Sequence, residues 1–154
     1  MSNLVEGAPA PDFELSGADG PVRLADYAGK PLVVYFYPKD DTSGCTREAQ
    51  DFTALAGDFA KAGVSLLGVS KDSLASHAKF TAKYGLAVPL ASDPEGAMIE
   101  AYGSWVEKNM YGRKYMGIER STFLIDASGK LARIWRKVKV PGHAAEVLKA
   151  AQAL

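Results

Sequence analysis

Leu32-Val33-Val34-Tyr35-Phe36-Tyr37-Pro38-Lys39-Asp40-Asp41-Thr42-Ser43-Gly44-Cys45 is the stretch on which the fold turns. Its first six residues are continuously apolar and β-branched or aromatic, the pattern of a strand buried on both faces. Pro38 ends that strand, and residues 40–44 are turn formers. Beyond them Phe52, Leu55, Ala56 and Phe59 recur at helical spacing. The spacing predicts a helix that carries Cys45 at its start and closes at Lys61-Ala62-Gly63.

On the N-terminal side, the turn Ala18-Asp19-Gly20-Pro21 precedes a short strand at Val22. On the C-terminal side, residues 64–69 read as a second buried strand. Ser73 is placed to cap a helix that runs to Tyr84 and stops at Gly85. Leu90 suggests a short strand, and Ser92-Asp93-Pro94 opens a helix of roughly two turns ending near Tyr102-Gly103. Residues 108–117 are polar, aromatic and punctuated by glycine, and read as loop. Ser121-Thr122-Phe123-Leu124-Ile125 and Leu131-Ala132-Arg133-Ile134-Trp135 flank the turn Asp126-Ala127-Ser128-Gly129, which predicts a hairpin. A last helix from about Gly142 buries Val147, Leu148 and Ala151. Alternating strands and helices followed by a hairpin and a helix predict an α/β fold with a mixed central sheet flanked by helices. The thioredoxin-like arrangement is one such fold, and one domain over residues 1–154 accommodates it.

The bulk composition narrows the function classes. Of 154 residues, 47% are hydrophobic and 23% charged, ordinary for a globular chain with a full core. Lys and Arg number 18, as do Asp and Glu, which removes the basic excess that nucleic-acid binding requires. A zero net charge permits weak self-association, so a monomer or weak homodimer is expected. No apolar run is long enough to span a membrane. Met1-Ser2-Asn3-Leu4-Val5-Glu6 lacks a basic segment followed by an apolar one, so no secretory signal is expected. With a single cysteine, this points to a reducing, cytoplasmic setting.

Cys45 follows a buried strand and opens a helix, where unpaired amides and the positive end of the dipole favour a thiolate, the nucleophilic form. A lone cysteine is more often a small buried apolar residue. Such a residue, however, has no need of Asp, Thr, Ser and Gly just before it. Thr42 lies three residues ahead, close enough for its hydroxyl to reach the sulfur or an incoming oxygen, and Pro38 could shield the site. His77 and His143 lack ligand-like spacing and read as ordinary surface or core residues, so no metal is expected. Trp105, Tyr111 and Tyr115 suit either a pocket wall or plain packing, and Arg133, Arg136, Lys137 and Lys139 a solvated sheet edge.

Pro38-Lys39-Asp40-Asp41-Thr42-Ser43-Gly44-Cys45-Thr46-Arg47-Glu48 resembles the active-site motif of peroxiredoxins, in particular the bacterioferritin comigratory protein, or Q-type, subgroup. The likeness extends along nearly the whole chain, through Gly7-Ala8-Pro9-Ala10-Pro11-Asp12-Phe13, Ser92-Asp93-Pro94, Tyr111-Gly112-Arg113-Lys114-Tyr115-Met116-Gly117 and Glu119-Arg120-Ser121-Thr122-Phe123-Leu124-Ile125-Asp126. The resemblance implies a thiol-dependent peroxidase. Cys45 would be the residue oxidised to a sulfenic acid, with Pro38, Thr42 and Arg120 at the other active-site positions. Glu48, one turn after Cys45, could orient Arg120. No cofactor is implied. The partners implied are a hydrogen peroxide or organic hydroperoxide substrate and an external thiol reductant: thioredoxin, glutaredoxin or a small thiol. The two places where the subgroup often carries a resolving cysteine hold Gln50 and Thr81, which marks a one-cysteine form, natural or engineered.

Two other readings share these residues. A thiol–disulfide oxidoreductase fits the fold, but Thr42 stands where a Cys-x-x-Cys pair needs its first cysteine. A redox sensor or chaperone-like protein would use Cys45 for signalling without turnover.

Overall fold

The protein is described by a computed structural model over residues 4–154. Met1, Ser2 and Asn3, on which the reading of the N-terminus partly rests, lie outside the described residues. The expected strand forms as β3 (Leu32–Phe36), and every residue of it is buried. It lies near the middle of a seven-stranded sheet completed by β1 (Glu14–Gly17), β2 (Gly20–Arg23), β4 (Ser65–Ser70), β5 (Leu90–Ser92), β8 (Ser121–Ile125) and β9 (Leu131–Trp135). The order is β2-β1-β5-β4-β3-β8-β9. Strands β3, β4 and β5 run parallel and the other pairings are antiparallel, which makes the sheet mixed as expected.

Alternation along β3 divides the core in two. Val33, Tyr35 and Tyr37 face a layer holding Phe52, Phe59, Phe80 and Val147. These come from α1 (Ser43–Ala54), α2 (Ala56–Lys61), α3 (Leu74–Tyr84) and α5 (His143–Gln152). Leu32, Val34 and Phe36 face the opposite layer, with Phe123, Tyr102 and the residues Met98 and Ile99 of α4 (Ala97–Ala101). Among the described residues no helix is long and apolar enough to cross a membrane.

Several elements differ from the sequence expectation. The helix after Cys45 is broken at Leu55, whose N–H is shared between the carbonyls of Phe52 and Thr53. This tightening re-aims α2 while keeping Phe59 fully buried, 6.0 Å from the Phe52 ring. The helix after Ser92 is shorter than two turns and begins only after Gly96, and Asp93 accepts a hydrogen bond from Ile99 N–H within it. Residues 108–117 are not loop. They belong to a hairpin of β6 (Trp105–Met110) and β7 (Arg113–Ile118) that forms its own two-stranded sheet. Tyr111 and Gly112 both take positive φ, 54° and 80°, the signature of a type I′ turn. The hairpin escapes detection because most of both its faces is open to solvent, so no apolar alternation marks it. Strand β1 was likewise not anticipated.

Candidate active site

Thr42 is the N-cap of α1 by its extended backbone, and Thr46 N–H makes a helical bond to its carbonyl at 2.8 Å. The amides of Ser43, Gly44 and Cys45 are therefore the first of the helix, with no acceptor inside it. Cys45 is 2% exposed. The Thr42 hydroxyl does not meet the sulfur. It donates to the Lys39 carbonyl at 2.8 Å, and with its proton committed there it offers lone pairs to an incoming O–H. Pro38 is partly buried in the turn between β3 and α1.

Arg120, in the link between β7 and β8, reaches Cys45 across 75 positions of sequence: Nη2 donates to Sγ at 3.3 Å. Nη1 donates to Glu48 Oε1 at 2.6 Å, so the expected carboxylate–guanidinium pair is present. Gly44 makes room for this contact, because a Cβ there would lie 3.2 Å from Arg120 Nη2. Burial pushes the Glu48 carboxyl up to about 7 against the pull of Arg120, and leaves Oε2 without a partner. Burial also works against the Arg120 charge, but Glu48 and Cys45 outweigh it and raise the guanidinium above its ordinary value. A fixed cation beside a sulfur nucleophile at a helix N-terminus suits reactions in which negative charge develops on a leaving oxygen.

The turn that presents Cys45 is anchored from α3. Asp40 accepts from Tyr37 Oη at 2.6 Å and Ser76 Oγ at 2.8 Å, and lies 2.7 Å from His77 Nδ1. Its N–H donates to Asp72. Asp41 holds a left-handed backbone at φ 58° and is tied to Lys83 Nζ and Tyr84 Oη. Sequence reasoning took Asp40 and Asp41 for turn formers only. Apart from Tyr37, their partners lie 32–43 positions onward, where no local pattern points to them. Asp40, Asp72 and His77 offer possible ligand atoms within 4.8 Å of one another, but the hydrogen bonds of the anchor already occupy them.

The remaining candidates lie elsewhere. His143 is buried against Thr122, at 2.8 Å, and burial lowers its pKa to about 4. His77 is also buried, so both histidines belong to the interior. Trp105 packs on the core under Lys71, while Tyr111 is fully exposed at the hairpin tip. Arg133 is on the edge strand as expected, but Arg136 turns inward to the carbonyls of Tyr102 and Gly103.

The model of the AhpC/TSA family matches residues 7–134. Peroxiredoxin Bcp of Xanthomonas campestris is 50% identical, over 99% of this chain and 98% of its own. Its namesake from Bacillus subtilis is 51% identical, over 93% and 92%. Among solved structures, the X. campestris bacterioferritin comigratory protein, studied for alkyl peroxide reduction, superposes with a TM-score of 0.87 at 51% identity, covering 92% of this chain and 90% of that one. A peroxiredoxin Q mutant from Xylella fastidiosa gives 0.93 at 40%, covering 99% and 98%. Sequence and thioredoxin-like fold thus agree along the whole length, and the chain belongs to the AhpC/TSA family as a peroxiredoxin of the bacterioferritin comigratory, or Q, kind, a thiol-dependent peroxidase.

Proposed function

We propose that Cys45 is the residue oxidised by peroxide, with Arg120, Thr42 and Pro38 completing its site and Glu48 holding Arg120. The observation that carries this is the 3.3 Å contact of Arg120 Nη2 with Sγ, made by a guanidinium that Glu48 fixes from its other side. Hydrogen peroxide or an organic hydroperoxide enters over the first turn of α1. The Cys45 thiolate attacks the terminal oxygen, the O–O bond breaks, and its electron pair leaves on the distal oxygen. Arg120 and the first amides of α1 stabilise that charge, and protonation releases water or an alcohol. The Thr42 hydroxyl accepts a hydrogen bond from the peroxide, and Pro38 shields the sulfur. Glu48 acts through Arg120 as a positioning residue.

Cys45 is left as a sulfenic acid. With one cysteine in the chain, no internal disulfide can form. An external thiol therefore condenses with the sulfenic sulfur and expels water, and a second thiol exchanges to restore Cys45. Thioredoxin, glutaredoxin or a small thiol would serve, in a reducing cytoplasm, with the protein a monomer or weak homodimer.

Peroxide consumption without added thiol tests this reading. It should saturate at about one equivalent per chain, with one dimedone adduct by intact mass, and resume when thiol is added. Cys45→Ser should consume none. Sustained turnover without thiol would overturn the account.

A further inference from the structure

His77, on α3, turns both of its ring nitrogens onto acceptors. Nε2 lies 3.0 Å from the carbonyl of Ala91 in β5. A carbonyl only accepts, so Nε2 carries a hydrogen. Nδ1 lies 2.7 Å from Asp40 Oδ2. A bare lone pair on Nδ1 would repel a carboxylate oxygen at that distance, so a second proton lies between the two. On Nδ1 it makes an imidazolium beside a carboxylate; on Asp40 it makes a neutral acid beside a neutral imidazole.

The surroundings decide between these. Asp40 accepts from Tyr37 Oη on Oδ1 and from Ser76 Oγ on Oδ2, an arrangement that favours the ionised carboxylate. Asp72 brings a second carboxylate into the same cluster, and one polar atom from each of Asp40, Asp72 and His77 lies within 4.8 Å of the others. Tyr37 Oη, 3.4 Å from Nδ1, gives its hydrogen to Asp40 and supplies no positive charge. The cation that balances these acids is therefore His77.

With hydrogens on both nitrogens, His77 ties together α3, β5 and the turn ahead of Cys45. That turn sets where the sulfur lies, while Arg120 reaches Sγ from the link between β7 and β8. Their 3.3 Å contact thus depends on where the turn is held. His77 and Asp40 are both buried, so water does not readily replace a lost donor.

We propose that His77 is an imidazolium and a positioning residue of the peroxidase site, holding through Asp40 the turn that sets Cys45 against Arg120; this rests on the reading of Cys45 above. It acts through Asp40 and takes no part in the bond changes.

NMR of the imidazole nitrogens near neutral pH reads the protonation. His77 should carry hydrogens on both, and His143, whose pKa burial lowers to about 4, is the neutral reference in the same spectrum. A single hydrogen on His77 overturns the assignment. Two rates read the positioning: oxidation of Cys45 by hydrogen peroxide, which needs Arg120 in place, and its alkylation by iodoacetamide, which needs only an accessible thiolate. In His77→Gln the amide nitrogen falls near the place of Nε2 and the tie to Asp40 is lost. The peroxide-to-iodoacetamide rate ratio should fall about tenfold, the loss expected for one hydrogen bond between charged groups. In His77→Asn the amide nitrogen falls near the place of Nδ1 and still donates to Asp40, so the ratio should fall less. An unchanged ratio in His77→Gln, or equal losses in the two variants, overturns the positioning role and leaves Cys45 in place. If peroxide leaves wild-type Cys45 unoxidised while iodoacetamide alkylates it, the reading of Cys45 falls and the positioning role falls with it.

Discussion

Asp40 and Glu48 lie on either side of Cys45 in the chain and are nearly closed off from solvent, at 7% and 1% exposure, yet their environments act in opposite directions. Burial opposes the charge of Asp40, but hydrogen bonds from His77, Tyr37 and Ser76 outweigh it and hold its carboxyl below the ordinary value. Glu48 is deeper and has one guanidinium bond on one oxygen. There burial wins, and the carboxyl rises to about 7. Depth alone therefore does not decide the charge of a buried acid. The number of donors turned toward it does. Asp40 is fastened from α3 and from Tyr37 just past β3 and fixes the turn, while Glu48 remains titratable beside Arg120.

The largest expected effect comes from removing the one donor that Glu48 has. Arg120→Ala takes away the cation at Sγ and should slow Cys45 oxidation by about 10²–10³-fold, read by stopped-flow fluorescence. An unchanged rate in a folded variant would remove Arg120 from the reaction. Next, Asp40→Ala strands three groups that face a buried carboxylate, and should cost about 3 kcal/mol in urea unfolding. A loss no larger than that of an ordinary surface substitution would show that the turn is held some other way.

The smallest effect is a slope. The Glu48 pKa is raised from 4.5 to about 7, so in that window the folded chain keeps a proton that the unfolded chain has lost. Its contribution is fully present below 4.5 and is lost as pH rises toward 7, by about 1 kcal/mol per pH unit at most. Glu48→Gln should flatten that fall in urea midpoints. Asp40 has the opposite sign: its contribution is present above its ordinary value and lost as pH falls through the lowered one. Identical slopes for wild type and Glu48→Gln would remove the distinction between the two acids.

The stretch from Leu32 to Cys45 was legible because each part of it has a local cause. A continuous apolar run makes β3, proline stops it, and turn formers lead into α1. Ser73 caps α3 by accepting from Ser76 N–H, and Gly85 ends it in the left-handed conformation, both as read. What escaped has distant causes. The β6–β7 hairpin exposes too much of both faces to show a period, and the break at Leu55 serves the packing of Phe59. The clamp on Asp40 and Asp41 comes largely from α3. Arg120 and Glu48 were named from the resemblance and from helical spacing; folding supplied their contact with Cys45.

Gly44 sets the clearance between the start of α1 and the Arg120 guanidinium by contributing nothing to it. In mechanical language, position 44 is an empty shim slot: any methyl placed there must be accommodated within a few tenths of an ångström, by the helix or by the arginine. The reach of Arg120 to sulfur is thus a machined tolerance, adjustable from a residue that itself takes no part in the chemistry.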